Sequence, residues 1–173
     1  YVEKAITVVD AEKFNLYLSN FKSFFDNQIR NADIVILSRT QNISSEEVKK
    51  LHDDGYKLAC CSSSAFNEIE YSLKEMGIRK YFDFIESSEE IAHPKPAGDI
   101  YELASAALGV SKDECIVYED SDKGIAAGKN AGMFVIARRD NRFKQTQKEA
   151  DLIVNDVVEM VEEVERMNAK WKK

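Results

Sequence analysis

Short apolar runs alternate with amphipathic stretches along this chain. The runs "AITVV" (5–9), "DIVIL" (33–37), "YKLACC" (56–61), "DFIES" (83–87), "CIVYE" (115–119), "MFVIA" (133–137) and "DLIV" (151–154) read as strands. Several are apolar at consecutive positions, as strands buried on both faces of a parallel sheet must be. Between them lie helices with readable ends. Ser44 and Glu47 have capping-box spacing, with Ile43 and Val48 placed as a staple and Gly55 as a stop. Phe66, Ile69, Leu73 and Met76 share one face before Gly77, and Ile100, Leu103, Ala104, Ala107 and Leu108 share another before Gly109. Ser121 is placed to cap a helix reaching about Ala131, and Asn155 to cap the last one, with Val157, Val161 and Val164 inward. Strand and helix in alternation imply βαβ units, and so a three-layer α/β sandwich with a mostly parallel, Rossmann-like sheet.

Composition narrows the class. The chain has 173 residues, 44% apolar and 32% charged, which suits a single globular α/β domain over 1–173. The net charge of −7 argues against a nucleic-acid partner, which needs a basic patch. It leaves room for an anionic substrate in a locally positive site. No apolar run is long enough for a membrane span and no signal peptide is read. Cys60, Cys61 and Cys115 show no metal spacing and fit reduced core thiols, so a cytoplasmic location is expected. The start at Tyr1, without a methionine, fits a fragment or a processed chain with sequence missing upstream.

The segment "CIVYEDSDKGIAAGKNAGM" carries two candidate chemistries. A nucleotide-binding loop needs G-x-x-x-x-G-K followed by Ser or Thr. Here Lys123 stands five before Gly128 and Asn130 follows Lys129, so the spacing fails. Gly124, Gly128 and Gly132 read instead as small residues on or just after a helix packed closely against the sheet. Glu119 and Asp120 are more informative, because they end a buried strand at the edge where open α/β sheets bind ligands. Adjacent carboxylates there repel unless a cation lies beside them, although Asp120 and Ser121 could simply begin a helix. "YKLACCSSS" brings Ser62, Ser63 and the following N–H groups to the same edge, a natural oxyanion cradle. "AHPKP" brings Lys95 there in a loop stiffened by two prolines. A hydroxyl, a lysine and two carboxylates on one rim suit a phosphate monoester with Mg2+.

These segments, with "LHDDGYKLACCSSS" and "YFDFIESSEEIAHPKPAGDIY", resemble the haloacid dehalogenase (HAD) superfamily in order and spacing from about Val48 to Val158. The branch they look like contains phosphoglucomutases and phosphoglycolate phosphatases. The resemblance implies a magnesium-dependent hydrolase acting on a small phosphorylated metabolite. Ser62 would hold phosphate, Lys95 would be the third-motif lysine, and Glu119 and Asp120 the metal acids. The family's nucleophile motif, D-x-D-G-[TV], does not occur in this sequence. Asp10 and Glu12 in "TVVDAEKF" have acid-x-acid spacing after a strand, but Ala11, Glu12 and Lys13 depart from the motif, and an Asp there also suits a turn.

Residues 5–48 resemble instead the nucleotide-binding domain of CobW-like GTPases, through a V-V-D-A strand end and "QIRNADIVILSRTQ". Gln41 stands where that family's guanine-reading Asp would be, and the upstream phosphate loop is absent. A fusion of 1–48 with 49–173 is therefore expected, joined in the helix "SSEEVKKLHDDG". If strand 33–37 takes the central position beside 56–61, Ser38 ends it and no nucleophile is supplied. If strand 5–9 takes that position, Asp10 enters the site. The alternatives are a phosphatase, a non-catalytic hybrid domain, and a GTPase-derived metal-chaperone fragment. Phe14, Tyr17, Phe21, Phe24 and Phe25 read as core, or as an exposed patch that would pair two copies into a homodimer. His52 and His93 show no catalytic partner, and the acidic run 159–165 reads as a solvated face.

Overall fold

The structure is a computed structural model that describes residues 34–37, 45–141 and 145–171. The strand expected at 5–9, Asp10, Glu12, the aromatic group 14–25 and the cap expected at Ser44 lie outside the described residues. Among the described residues six strands form one wholly parallel sheet: β1 (Ile34–Leu37), β2 (Lys57–Ser62), β3 (Phe84–Ser87), β4 (Cys115–Glu119), β5 (Phe134–Arg138) and β6 (Leu152–Val154). Their order is β3-β2-β1-β4-β5-β6. The helices are α1 (Ser45–Asp53), α2 (Phe66–Glu75), α3 (Asp99–Leu108), α4 (Asp122–Asn130) and α5 (Val157–Trp171).

The chain steps outward from β1 to β3, returns past both strands to β4, and then steps outward again to β6. The direction reverses between β1 and β4, and such a switch point opens a crevice at the carboxyl edge of the sheet. Leu37 lies opposite both Cys60 and Tyr118. Cys61 and Glu119, one residue further along, therefore flank the carboxyl end of β1 from either side.

The alternation of side chains sorts the core into two layers. On one face, Leu58, Cys60, Ile116, Tyr118 and Ile136 of the sheet pack with Val48 and Leu51 of α1, Leu73 of α2, and Met160 and Val164 of α5. On the other, Ala59, Cys61, Val117 and Val135 pack with Ile100, Tyr101 and Ala104 of α3 and with Ile125 and Ala127 of α4. This is the expected three-layer α/β sandwich.

Two helices differ in detail from their sequence pattern. In α3 the buried residues are Ile100, Tyr101, Ala104 and Ser105, while Leu103 and Ala107 are exposed. The helix is turned so that the tyrosine, not the leucine, enters the core, because its hydroxyl has a buried partner on β4. For α5, Asp156 rather than Asn155 supplies the capping oxygen: its Oδ1 accepts from the Glu159 N–H at 2.9 Å. Asn155 bonds the Glu159 carboxylate instead. Val157, Val161 and Val164 point inward as the pattern requires.

The glycines of α4 act as close-packing residues. A Cβ on Gly128 would lie 2.6 Å from Val135 Cγ2 and 3.3 Å from the Val117 side chain. Only a hydrogen fits between that helix and the sheet. Gly128→Ala gains helix propensity of about 1 kcal/mol but overpacks the core at a cost of about 1–3 kcal/mol. Net destabilisation is expected, read as a lower urea midpoint with an unchanged m-value.

Candidate functional site

Four of the residues singled out in the sequence meet at the carboxyl edge beside β1. Glu119 ends β4 and is 2% exposed, and Asp120 follows it at 6%. Ser62 ends β2 and is also buried, whereas Ser63 is exposed. Lys95 arrives from the loop after β3. Its ammonium donates to the Cys61 carbonyl at 3.1 Å and to Glu119 Oε1 at 2.8 Å. It thereby spans from β2 to β4 across the end of the strand between them.

Glu119 is the hub. Besides Lys95, its Oε1 accepts from the Tyr101 hydroxyl at 2.9 Å. Its Oε2 accepts from the N–H of Asp120 at 3.0 Å, and from the N–H and hydroxyl of Ser121 at 3.2 Å each. The Ser121 hydroxyl in turn accepts from Gly124 N at 3.1 Å, capping α4 as its sequence predicts. The Lys95 ammonium also lies 4.8 Å from the centre of the Tyr101 ring, within cation–π range. Gly124 makes the arrangement sterically feasible, since a Cβ there would fall 1.9 Å from Glu119 Cδ. Gly124 thus makes room for Glu119, while Gly128 lets α4 approach the sheet.

Tyr101 was not singled out in the sequence as a site residue. Its signal was an aromatic at the first turn of a helix starting just after the Lys95 loop, hidden because tyrosine also suits an ordinary core position.

Glu119 was expected to share a metal ion with Asp120. Its two oxygens already accept five hydrogen bonds, a complement that fills a carboxylate. The residues present fit magnesium through Asp120: a buried hard oxygen donor at the rim, beside a Lys–Glu pair that cancels its own charge. Magnesium commonly takes one or two carboxylates and fills its remaining positions with water or phosphate oxygens. Among the described residues no group of three metal-ligating side chains occurs.

On the β2 side, Ser62 Oγ accepts from Ser64 N at 3.2 Å. This turn leads into α2, whose N-cap, Ala65, makes no side-chain capping bond. The Ala65 carbonyl accepts instead from Glu68 N at 3.0 Å and Ile69 N at 3.1 Å. Ser87, at the end of β3, braces the turn by donating to Ser64 O at 2.7 Å.

The remaining candidates behave as structure. The three cysteines are buried thiols, and burial pushes the Cys60 thiol up to about 12. His93 is exposed and pairs with Asp99 at 2.8 Å. His52 is exposed on α1, beside Asp53.

With this geometry in place, likeness to known proteins becomes informative. Residues 15–138 match the sequence profile of the haloacid dehalogenase-like hydrolases. The chain belongs to that family. The pyrophosphatase PpaX of Bacillus velezensis is 30% identical over 124 residues, covering 72% of this chain and 55% of the relative. The fructose-1-phosphate phosphatase YqaB of Escherichia coli is 41% identical over 64 residues, covering 37% and 34%. The chain thus spans about a third to just over half of the length of these relatives. Among solved structures, CbbY of Rhodobacter sphaeroides in complex with phosphate shares the fold, with a TM-score of 0.64 at 24% identity. That match covers 74% of this chain and 59% of CbbY. The HAD profile match begins at residue 15 and so takes in most of the segment that resembled a CobW-like GTPase, a resemblance these relatives do not support. No described helix is long and apolar enough to cross a membrane.

Two outcomes follow from this geometry. Glu119→Gln leaves the Lys95 ammonium buried beside a neutral amide, and removing one partner of a buried pair costs about 3–5 kcal/mol. Gly124→Ala should cause a loss in the same direction by expelling the carboxylate; chemical denaturation measures both. Separately, the N–H groups of Thr146 and Gln147 hold the Asp122 carboxyl below its ordinary value of 3.8. A lowered folded-state value contributes stability above the ordinary range, and that contribution is lost as pH falls through the folded value. Asp122→Asn should therefore flatten the decline of wild-type stability below about pH 4, followed by thermal unfolding across acid buffers.

Proposed function

We propose that the chain carries a magnesium-dependent phosphohydrolase site for a small phosphate monoester. The observation that supports it best is the Lys95 bridge, which gathers Ser62, Glu119 and Asp120 at one switch point. In this reading Ser62, Ser63 and the N–H groups leading into α2 hold phosphate oxygens, and Lys95 adds positive charge beside them. Asp120 is the protein's magnesium ligand. Glu119 does not touch the ion; it orients Lys95 and the Asp120 main chain. When bound, magnesium supplies charge neutralisation on the phosphoryl oxygens. Asp10 is the candidate nucleophile: its carboxylate attacks phosphorus while the bond to the leaving oxygen breaks. Glu12 protonates that oxygen and then takes a proton from the water that releases phosphate.

The placement of β1 favours a second reading. Residues 34–37 occupy the central position between β2 and β4, and the residue that follows Leu37 in sequence is Ser38. A strand ending in a hydroxyl residue supplies no carboxylate nucleophile, so the site would bind phosphate without cleaving it. The same placement supports one α/β domain, in which the segment 1–48 contributes the central strand to a sheet otherwise built from 49–173.

Phosphate release from p-nitrophenyl phosphate and from sugar phosphates, with magnesium, tests both readings beside calorimetric binding of inorganic phosphate. The enzyme reading expects turnover that Asp10→Asn abolishes and Asp120→Asn lowers at least a hundredfold. Phosphate binding with background turnover leaves the second reading. Absence of both activities overturns the site.

A further inference from the structure

Gln147 holds an unusual position. It is the one described non-glycine residue with a left-handed backbone, at φ 50°, and it is 4% exposed. Asn and Asp adopt that conformation far more readily than Gln, and Gly adopts it without strain. A loop that needed only the turn would be better served by one of them. The side chain supplies the reason for a glutamine.

Its carboxamide makes three bonds at the carboxyl edge. Nε2 donates to the Asp120 carbonyl at 2.8 Å and to the Arg138 carbonyl at 2.6 Å. Oε1 accepts from Asp140 N at 3.2 Å. Glu119 lies opposite Ala137 in the sheet, so Asp120, just past the end of β4, and Arg138, the last residue of β5, are the next rung. The amide ties that rung from outside. Its own backbone is tied in turn: the Asp122 carboxylate accepts from Gln147 N at 2.7 Å and from Thr146 N at 3.0 Å. Gln145 Oε1 accepts from Asp122 N at 3.0 Å. The loop 145–147 and the first turn of α4 therefore hold each other.

The consequence falls on Asp120. Its N–H donates to Glu119 and its carbonyl accepts from Gln147, so side chains from two parts of the chain fix both of its main-chain polar groups. We propose that Gln147 is a positioning residue for Asp120: its carboxamide brackets the ends of β4 and β5 and aims the Asp120 carboxyl into the site. This rests on Asp120 being the metal ligand, as proposed above. Outer-shell partners of metal ligands set affinity through orientation, and losing one typically costs tenfold to a hundredfold.

The test measures Mn2+ affinity by calorimetry, and amide hydrogen exchange at Asp120 and Ser121 without metal. The chains compared are wild type, Asp120→Asn, Gln147→Gly, Gln147→Asn and, as a stability control on the opposite face, Leu73→Val. Gly and Asn both accept the left-handed backbone, but Gly lacks the amide and Asn is one methylene too short to span both carbonyls. Gln147→Gly and Gln147→Asn are expected to weaken Mn2+ binding about tenfold or more and to speed exchange at Asp120 and Ser121. Leu73→Val loses stability yet binds Mn2+ as wild type does. Wild-type affinity in both Gln147 variants, with Asp120→Asn defective, overturns the bracket and leaves the site standing. If wild type binds no Mn2+, the metal reading fails, and exchange alone decides whether Gln147 orders Asp120; unchanged exchange overturns it.

Discussion

The ion pair between Lys95 and Glu119 is the constraint on which the carboxyl edge depends. Both side chains are almost wholly withdrawn from water, and burying two charges is expensive unless their remaining bonding capacity is met. Here it is met by distant parts of the chain. Cys61 of β2 offers a carbonyl, Tyr101 of α3 a hydroxyl, and the start of α4 two N–H groups and a serine hydroxyl. Each partner solves a local desolvation problem, and together they lock two strands and two helices around the end of β1.

The same pair explains residue choices that otherwise look unrelated. Gly124 is needed because the carboxylate occupies the space a side chain would fill. Tyr101 rotates α3 away from the face that its leucine and alanine spacing suggests, leaving Leu103 exposed. Ser121 serves twice, donating to Glu119 and capping α4. With Glu119 committed in this way, Asp120 is held by its main chain between Glu119 and Gln147.

Much of this was legible along the chain. Apolar runs of strand length, and helices closed by caps and glycines, foretold a parallel α/β sandwich, because those signals depend on neighbours within a turn or two. Ser62, Lys95, Glu119 and Asp120 could be proposed as one rim because parallel strands bring their carboxyl ends together. Less visible were the roles of Tyr101 and Gln147. A tyrosine in a helix and a glutamine in a loop carry no periodic signature, and their meaning lies in partners on other segments, Glu119 for Tyr101 and Asp120 and Arg138 for Gln147.

By itself, then, the order of residues determined the layers of this protein, the edge at which its polar residues gather and its family kinship. Those properties follow from local periodicity and from the geometry every parallel sheet shares. Tertiary structure alone decided which strand stands between β2 and β4, which acid is spent on a lysine, and which main-chain groups are held from outside. These outcomes were settled by competition for a few buried hydrogen-bonding positions, and such a competition has no winner until distant segments are packed against one another.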